Sequence, residues 1–273
     1  MPPGDWRFNA LADQTQMKQR IQKVLAAAGV ASRRAVEEMV LQGRIAVNGK
    51  IVTSLPVLVD PQHDQITIDG EPIRLARRMT ARRVYLLMNK PKGVYSTNVS
   101  QGEQTRAIDL LPPDFPHRVF PVGRLDAESR GLLLLTNDGE LTHKLTHPRF
   151  GVPKTYTAVV DGYVTPEEVQ QLQKGIWLAD PHKGGFKTGG ARIRVIRRGR
   201  QRSVLEITLR EGRNRQVRRM LAKIGHKVRE LTRTKMGPLE LRGLAPGQFR
   251  ELTARELKAL RAAVEQDRDS SSS

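Results

Sequence analysis

Cysteine is absent from the 273 residues, which excludes disulfides, thiolate metal sites and a cysteine nucleophile. Aromatic residues make up only 4%, so any stacking on nucleobases must come from a few placed rings. No apolar run approaches the roughly 18 residues of a membrane span, and no stretch reads as a secretory leader. The default expectation is a cytoplasmic protein with no membrane partner. Acidic residues are also scarce: 28 Asp+Glu face 47 Lys+Arg, for a net charge of +19 and an isoelectric point near 10.9. Such a balance calls for a polyanionic partner, nucleic acid first.

The positive charge is concentrated. Residues 192–235 hold 16 Lys and Arg against 3 Asp and Glu, a net +13. Apolar strand and helix patterns run through the same segment, so it reads as a folded basic surface rather than a solvated tail. The length allows two or three domains. Residues 1–16 are polar and mixed and are expected to be disordered. Residues 17–73 form a first module, 74–83 a basic linker, 84–265 the main domain, and 266–273 a disordered tail.

In the first module, residues 17–28 read as a helix with Met17, Ile21, Val24, Leu25 and Ala28 on one face, ended by Gly29. Ser32 is placed to cap a second helix through Leu41, closed by Gly43. Asn48-Gly49 and Asp69-Gly70 are hairpin turns between short β patterns. Arg33 and Arg34 fall in the first turn of the second helix, where cations oppose the helix dipole. That placement suits a site where the helix terminus and both guanidinium groups hold a phosphate. In the main domain, strands are expected over 84–89, 118–122, 132–136, 155–160, 192–197 and 203–209, and helices over 139–146, 166–173, 214–224 and 254–264. The mixture predicts an α+β fold with a mainly antiparallel sheet flanked by helices.

Three segments of the main domain carry chemistry. Phe120-Pro-Val-Gly-Arg-Leu-Asp-Ala-Glu-Ser-Arg-Gly-Leu-Leu-Leu-Leu places Asp126 in a polar loop between apolar runs, with Arg124 and Arg130 on either side. Lys154-Thr-Tyr-Thr-Ala-Val-Val opens a strand with Tyr156 near its start. Arg210-Glu-Gly-Arg-Asn-Arg-Gln-Val-Arg-Arg-Met-Leu221 joins a strand to a helix whose apolar side is Val217, Met220, Leu221 and Ile224.

In their order and spacing these segments resemble the ribosomal RNA pseudouridine synthases, and residues 20–50 resemble the S4 RNA-binding domain. The resemblance runs from about residue 17 to residue 252. It points to the branch with an N-terminal S4 domain, similar to the pseudouridine synthases of B type that act on the large ribosomal subunit. It implies a small helix-rich RNA-docking module in front of a catalytic domain. By its implication Asp126 is the nucleophile, Tyr156 stacks on a flipped uracil and serves in the last proton transfer, and Arg218 pairs with Asp126. Leu231 packs behind Tyr156, Arg124 holds the extruded nucleotide, and Arg213 and Arg215 join the substrate contacts. Lys23, Arg33, Arg34, Arg44, Asn48 and Lys50 are the implied RNA contacts of the S4 domain.

The chemistry suits these residue types. Isomerising uridine breaks N1–C1′ and joins C5 to C1′, with no redox step and no group gained or lost, so no cofactor and no metal are expected. A buried carboxylate must stay charged against desolvation, and a guanidinium beside it opposes that penalty. The target must leave its stack at a cost of about a few kcal/mol. His143 and His147 share the i, i+4 spacing of a metal pair, but no third ligand accompanies them, so they are expected at the surface or facing RNA. The Gly-rich stretch 183–190 lacks the strand–loop–helix setting of a nucleotide loop and reads as a hairpin or loop near the RNA. The expected partner is ribosomal RNA, 23S before 16S, either free or in a pre-ribosomal particle, and the expected state is a monomer. Two other classes compete: a non-catalytic RNA-binding assembly factor, which has no use for an anion in its basic groove, and a uridine methyltransferase, for which no donor site is visible.

Overall fold

The computed structural model describes residues 18–75, 82–100, 102–180 and 184–265. The expected disordered extension (1–16), residues 76–81 of the basic linker, Lys183 and the tail from 266 lie outside the described residues. The chain divides into two units, Met1–Arg83 and Val84–Ser273. Among the described residues no helix is long and apolar enough to cross a membrane.

The first unit packs two helices on short strands. Strand β1 (Gln19–Arg20) pairs with β4 (Leu58–Val59), so helix α1 (Ile21–Ala27) starts later than the apolar periodicity predicts. The cause is tertiary: the Ile21 amide donates to the Val57 carbonyl at 2.9 Å. Helix α2 (Arg33–Leu41) follows Ser32, whose Oγ accepts from the Ala35 amide at 3.1 Å, the expected cap. Strands β2 (Ile45–Val47), β3 (Lys50–Val52), β5 (Ile66–Ile68) and β6 (Glu71–Pro72) form an antiparallel sheet in the order β3-β2-β5-β6. Both expected hairpin turns are present, with left-handed Asn48 and Gly49 at φ 51° and 78° and Asp69 and Gly70 at 53° and 83°. Ile21, Val24, Leu25, Val36, Val40 and Ile45 are buried between helices and sheet.

The second unit is a nine-stranded sheet. Its main path is β13-β14-β10-β15-β9-β7-β17, with β8 and β16 on the edges of β9 and β15. These are β7 (Tyr85–Lys90), β8 (Phe120–Pro121), β9 (Arg130–Thr136), β10 (Lys154–Asp161), β13 (Arg192–Arg197), β14 (Arg202–Leu209), β15 (Val228–Met236), β16 (Leu239–Glu240) and β17 (Phe249–Glu251). A separate hairpin pairs β11 (Trp177–Leu178) with β12 (Phe186–Lys187). Helices α3 (Gly139–Thr146), α4 (Pro166–Lys174), α5 (Gln216–Lys223) and α6 (Ala254–Glu265) complete the unit.

Every ladder of the sheet is antiparallel except one. β15 and β9 run parallel and share only the pairs Thr232↔Arg130 and Arg233↔Gly131. This seam joins two antiparallel halves. The four leucines at the centre of β9 form an unbroken apolar run because both faces are covered: Leu132 and Leu134 pack with α3 and α6, and Leu133 and Leu135 pack on the other side with Leu86, Met88 and Leu125. A third core gathers β10, β14, α4 and α5 around Ala158, Leu205, Leu172, Met220 and Leu221. Tyr156 packs against both this core and the one holding Leu125.

α4 opens on Thr165-Pro-Glu-Glu, with Thr165 as its N-cap. Thr165 Oγ1 accepts from the Glu168 amide at 3.2 Å, and Glu168 Oε2 accepts from the Thr165 amide at 2.8 Å. Glu168 Oε2 also meets His226 Nε2 at 3.0 Å, while His226 Nδ1 lies 2.7 Å from the Asp161 carbonyl. Burial pushes the imidazole down, but the Asp161 carbonyl and the Glu168 carboxylate outweigh it and hold His226 above its ordinary value. A group raised on folding stabilises the fold fully below its unfolded value, and that stabilisation is lost as pH rises through the folded one. Relative to His226→Gln, the wild type is expected to lose stability as pH rises from about 6 to about 9. Urea unfolding of both proteins at the two pH values checks this, and a pH-independent difference would refute it.

Candidate active site

The loop between β8 and β9 is held at several points. Leu125 is 6% exposed, and its amide donates to Ser96 Oγ at 3.2 Å. The Ser129 amide closes a turn on the Asp126 carbonyl at 2.9 Å, and the Gly93 amide donates to the Ala127 carbonyl at 2.8 Å. Buried Leu125 therefore anchors the turn that displays Asp126, whose side chain is 28% exposed. Beneath the turn lies Lys90, fully buried at the end of β7. Its Nζ donates to the carbonyls of Val94 at 2.7 Å, Pro91 at 2.8 Å and Ala127 at 3.5 Å. Burial pushes Lys90 down to about 8, against the opposing pull of the Asp126 charge.

A second loop brings the arginines. Glu211 Oε1 accepts from the Gly189 amide at 2.9 Å and from Gln216 Nε2, and Gln216 Oε1 accepts from the Arg213 amide at 3.0 Å. Arg215, just ahead of α5, is left-handed at φ 49° and ψ 30°. Its Nη1 lies 3.6 Å from Asp126 Oδ2. Arg218 does not make that contact. Its Nη2 donates to the Glu128 carbonyl at 3.1 Å and its Nη1 to the Val228 carbonyl at 3.3 Å, while its buried Nε has no partner. Burial and then the neighbouring Arg215 push Arg218 down, opposed by Asp126 and Glu128. The expected Arg218–Asp126 pair is thus corrected. The left-handed backbone swings Arg215 over the carboxylate, and the tight 126–129 turn offers Arg218 a carbonyl two residues further on.

The two arginines act on one turn in different ways, so their removal should differ. Arg218→Ala is expected to lower turnover by about 10²-fold or more with a much smaller loss in RNA affinity, because it releases the backbone that displays Asp126. Single-turnover rates and RNA titrations separate the two effects. Equal losses in both would make Arg218 a phosphate contact and nothing more.

The remaining expected residues fall into two groups. Tyr156 on β10 pairs across the sheet with Arg233 on β15, which pairs in turn with Gly131 on β9. One rung therefore links the tyrosine to the strand that Asp126 leads into. Leu231, 6% exposed, lies opposite Ala158, two positions along from Tyr156 on the same face. Arg124 is exposed beside the turn. Arg130, flanking Asp126 in sequence, turns away to Glu230 at 2.5 Å and Thr232 Oγ1 at 3.1 Å. Arg213 covers the Phe186 ring at 3.8 Å and reaches Glu211 at 3.5 Å.

In the first unit, Lys23 and Arg33 line a cavity of about 340 Å³ with Lys18, Arg20 and Glu37, and Arg34 and Lys50 are exposed. Arg44 and Asn48 have structural tasks. Arg44 bonds Asp69 at 2.9 and 2.5 Å across the sheet, and the Asn48 side chain bridges Asp64 and the Gln65 amide at 2.9 Å each. The His143 and His147 rings lie 5.1 Å apart, tilted by 43°, and both meet Phe150 edge-on. No cluster of three metal-ligating side chains occurs among the described residues.

Two buried cations beside the site are absent from the sequence reading. Lys90 left one signal, a cation closing an otherwise apolar strand. Arg233, 2% exposed, donates from Nε to the Leu132 carbonyl at 2.7 Å; nothing in the polar run around it marks it as buried.

Comparison with known proteins agrees with this layout. Residues 84–223 match the family described as RNA pseudouridylate synthase, and residues 19–66 match the S4 domain. The chain is 44% identical over 249 residues to an RNA pseudouridine synthase of Aquifex aeolicus, covering 91% of this chain and 96% of that protein. It is 43% identical over 247 residues to the ribosomal large subunit pseudouridine synthase B of Bacillus subtilis, covering 90% and 97%. A crystal structure of a pseudouridylate synthase aligns at a TM-score of 0.63 with 28% identity, over 88% of this chain and 99% of the other. The family match takes in the Asp126 turn and α5, and the chain belongs to the RNA pseudouridylate synthase family, behind an S4 domain.

Proposed function

We propose that this enzyme isomerises one uridine of ribosomal RNA, in the large subunit, to pseudouridine, with Asp126 as the nucleophile. The observation that carries this reading is the half-buried carboxylate of Asp126 on a braced turn, beneath Arg215 and beside a strongly basic helix, while Glu128 of the same turn is paired with Lys92 at 3.4 Å. A groove built only to bind RNA gains nothing from an anion there, whereas a reaction that cuts N1–C1′ needs one. Asp126 bonds transiently to the nucleotide, at the sugar or at the base, or assists loss of the 2′ proton. The uracil turns, C5 joins C1′, the C5 proton leaves and N1 gains one, so the atoms balance without a cofactor. Tyr156 offers a ring face to the extruded base and a hydroxyl for the proton on C5, with Leu231 behind it and Arg124 at the entrance. Lys23, Arg33, Arg34 and Lys50 of the S4 domain bind RNA phosphate. The large-subunit assignment draws on the name of the Bacillus subtilis relative. The setting that fits is the cytoplasm, with a monomer acting on free ribosomal RNA or on an assembling particle.

The test is pseudouridine mapping of ribosomal RNA from cells with and without the gene. One site should be lost on deletion and restored by the wild type. If no ribosomal site changes, the substrate lies elsewhere.

A further inference from the structure

We propose that Trp177, with Lys187 beside it, is a stacking platform for an unpaired RNA base flanking the target uridine. This rests on the ribosomal RNA reading above and adds a contact outside the uridine pocket. Trp177 is the one tryptophan among the described residues, and it is 65% exposed while its neighbours Ile176 and Leu178 are 5% and 4% exposed. Strand alternation forces this arrangement: anchoring both neighbours in the core turns the indole outward.

The ring is held in place. β11 is pinned to β12 through Trp177↔Lys187 and Leu178↔Phe186, and Thr188 bonds Ile176 twice at 2.9 Å, through its amide and through Oγ1. Leu178 shares a core with Val217 and Met220 of α5, and Arg219 of that helix donates to the Ala179 carbonyl. Gly185 backs the indole: a methyl group added there would lie 3.6 Å from both Cε3 and Cζ3. The chain supports one part of the ring and leaves the rest open, and a fixed ring gives up little freedom on binding.

The surroundings select a polyanion bearing π-faces. Lys187, exposed, sits directly across from Trp177. On the other face of the hairpin, Arg213 and Arg219 lie over Phe186 at 3.8 and 5.6 Å. The hairpin is tied to the helix that begins beside Arg215, the residue contacting Asp126. An RNA strand entering that site passes this flank with its phosphates near the cations and a base within reach of the indole.

The full chain carrying Trp6→Phe leaves Trp177 as the sole tryptophan. Titrated with a single-stranded 12-mer of oligouridylate, its emission should be quenched. Trp177→Ala should raise Kd by about ten- to a hundredfold, Trp177→Phe should recover most of that, and the melting temperature should not move. On ribosomal RNA, Trp177→Ala should raise KM and leave kcat intact. A Kd within twofold of wild type, unquenched emission, or emission that changes with protein concentration alone, as for a self-association surface, would overturn the platform. If ribosomal RNA is still isomerised in those cases, the proposed function stands without it. A wild-type protein inactive on ribosomal RNA would instead remove the reading underneath.

Discussion

Asp126→Asn is expected to lower pseudouridine formation by about 10⁴-fold or more, the scale on which loss of a nucleophile is felt. Asparagine fills the same volume and leaves the backbone of the turn alone. That turn is held by Leu125, Lys90 and the Ser129–Asp126 bond rather than by the side chain. Folding is therefore expected to be unchanged. RNA affinity should hold or rise, because one anion leaves a basic surface. Release of the C5 hydrogen from RNA labelled at that position reads the chemistry directly, and a filter or fluorescence titration reads binding. In deletion cells the same variant should fail to restore the missing site. Residual turnover within tenfold of wild type would take Asp126 out of the reaction and favour a role in binding.

Gly131→Ala is expected to cost about 3 kcal/mol or more, well above an ordinary surface substitution. Gly131 has φ +108°, and a Cβ there would lie 2.3 Å from the Arg233 carbonyl oxygen and 2.8 Å from its amide nitrogen. Neither is the end of a flexible side chain. Both belong to the backbone of β15 at one of only two rungs joining it to β9. Adding a methyl group must push the strands apart where Tyr156, Arg233 and Gly131 align. Stability and turnover should therefore fall together, since the turn bearing Asp126 leads straight into β9. Urea unfolding gives the first quantity and single-turnover kinetics the second. A stability change under about 0.5 kcal/mol would mean the strands do not approach as closely as described.

The features legible in the sequence are those carried by neighbouring residues. Ser32 and Thr165 announce their helices because a cap is a contact over three residues. Asn48-Gly49 and Asp69-Gly70 announce hairpins because they accept left-handed backbone. The chain around Asp126 was recognisable because its residues form one continuous motif. β15 was not legible as a strand, although it lies in the middle of the sheet. Its nine residues include Arg229, Glu230, Arg233 and Lys235, and two register shifts against β10 break the alternation, so the buried Val228, Leu231, Arg233 and Met236 follow no period of two.

By itself the sequence determined the family, the two-part order, the caps and turns, and the carboxylate on which the chemistry is proposed to rest. The tertiary structure alone decided which arginine faces that carboxylate, that Lys90 and Arg233 are buried beside it, and that Trp177 is turned outward. Each of these depends on groups far apart in the chain: the Asp126 turn and α5 are about ninety residues apart, as the Arg218–Glu128 bond shows. Local periodicity specifies which way a segment folds, but only close packing of distant segments specifies which side chains meet.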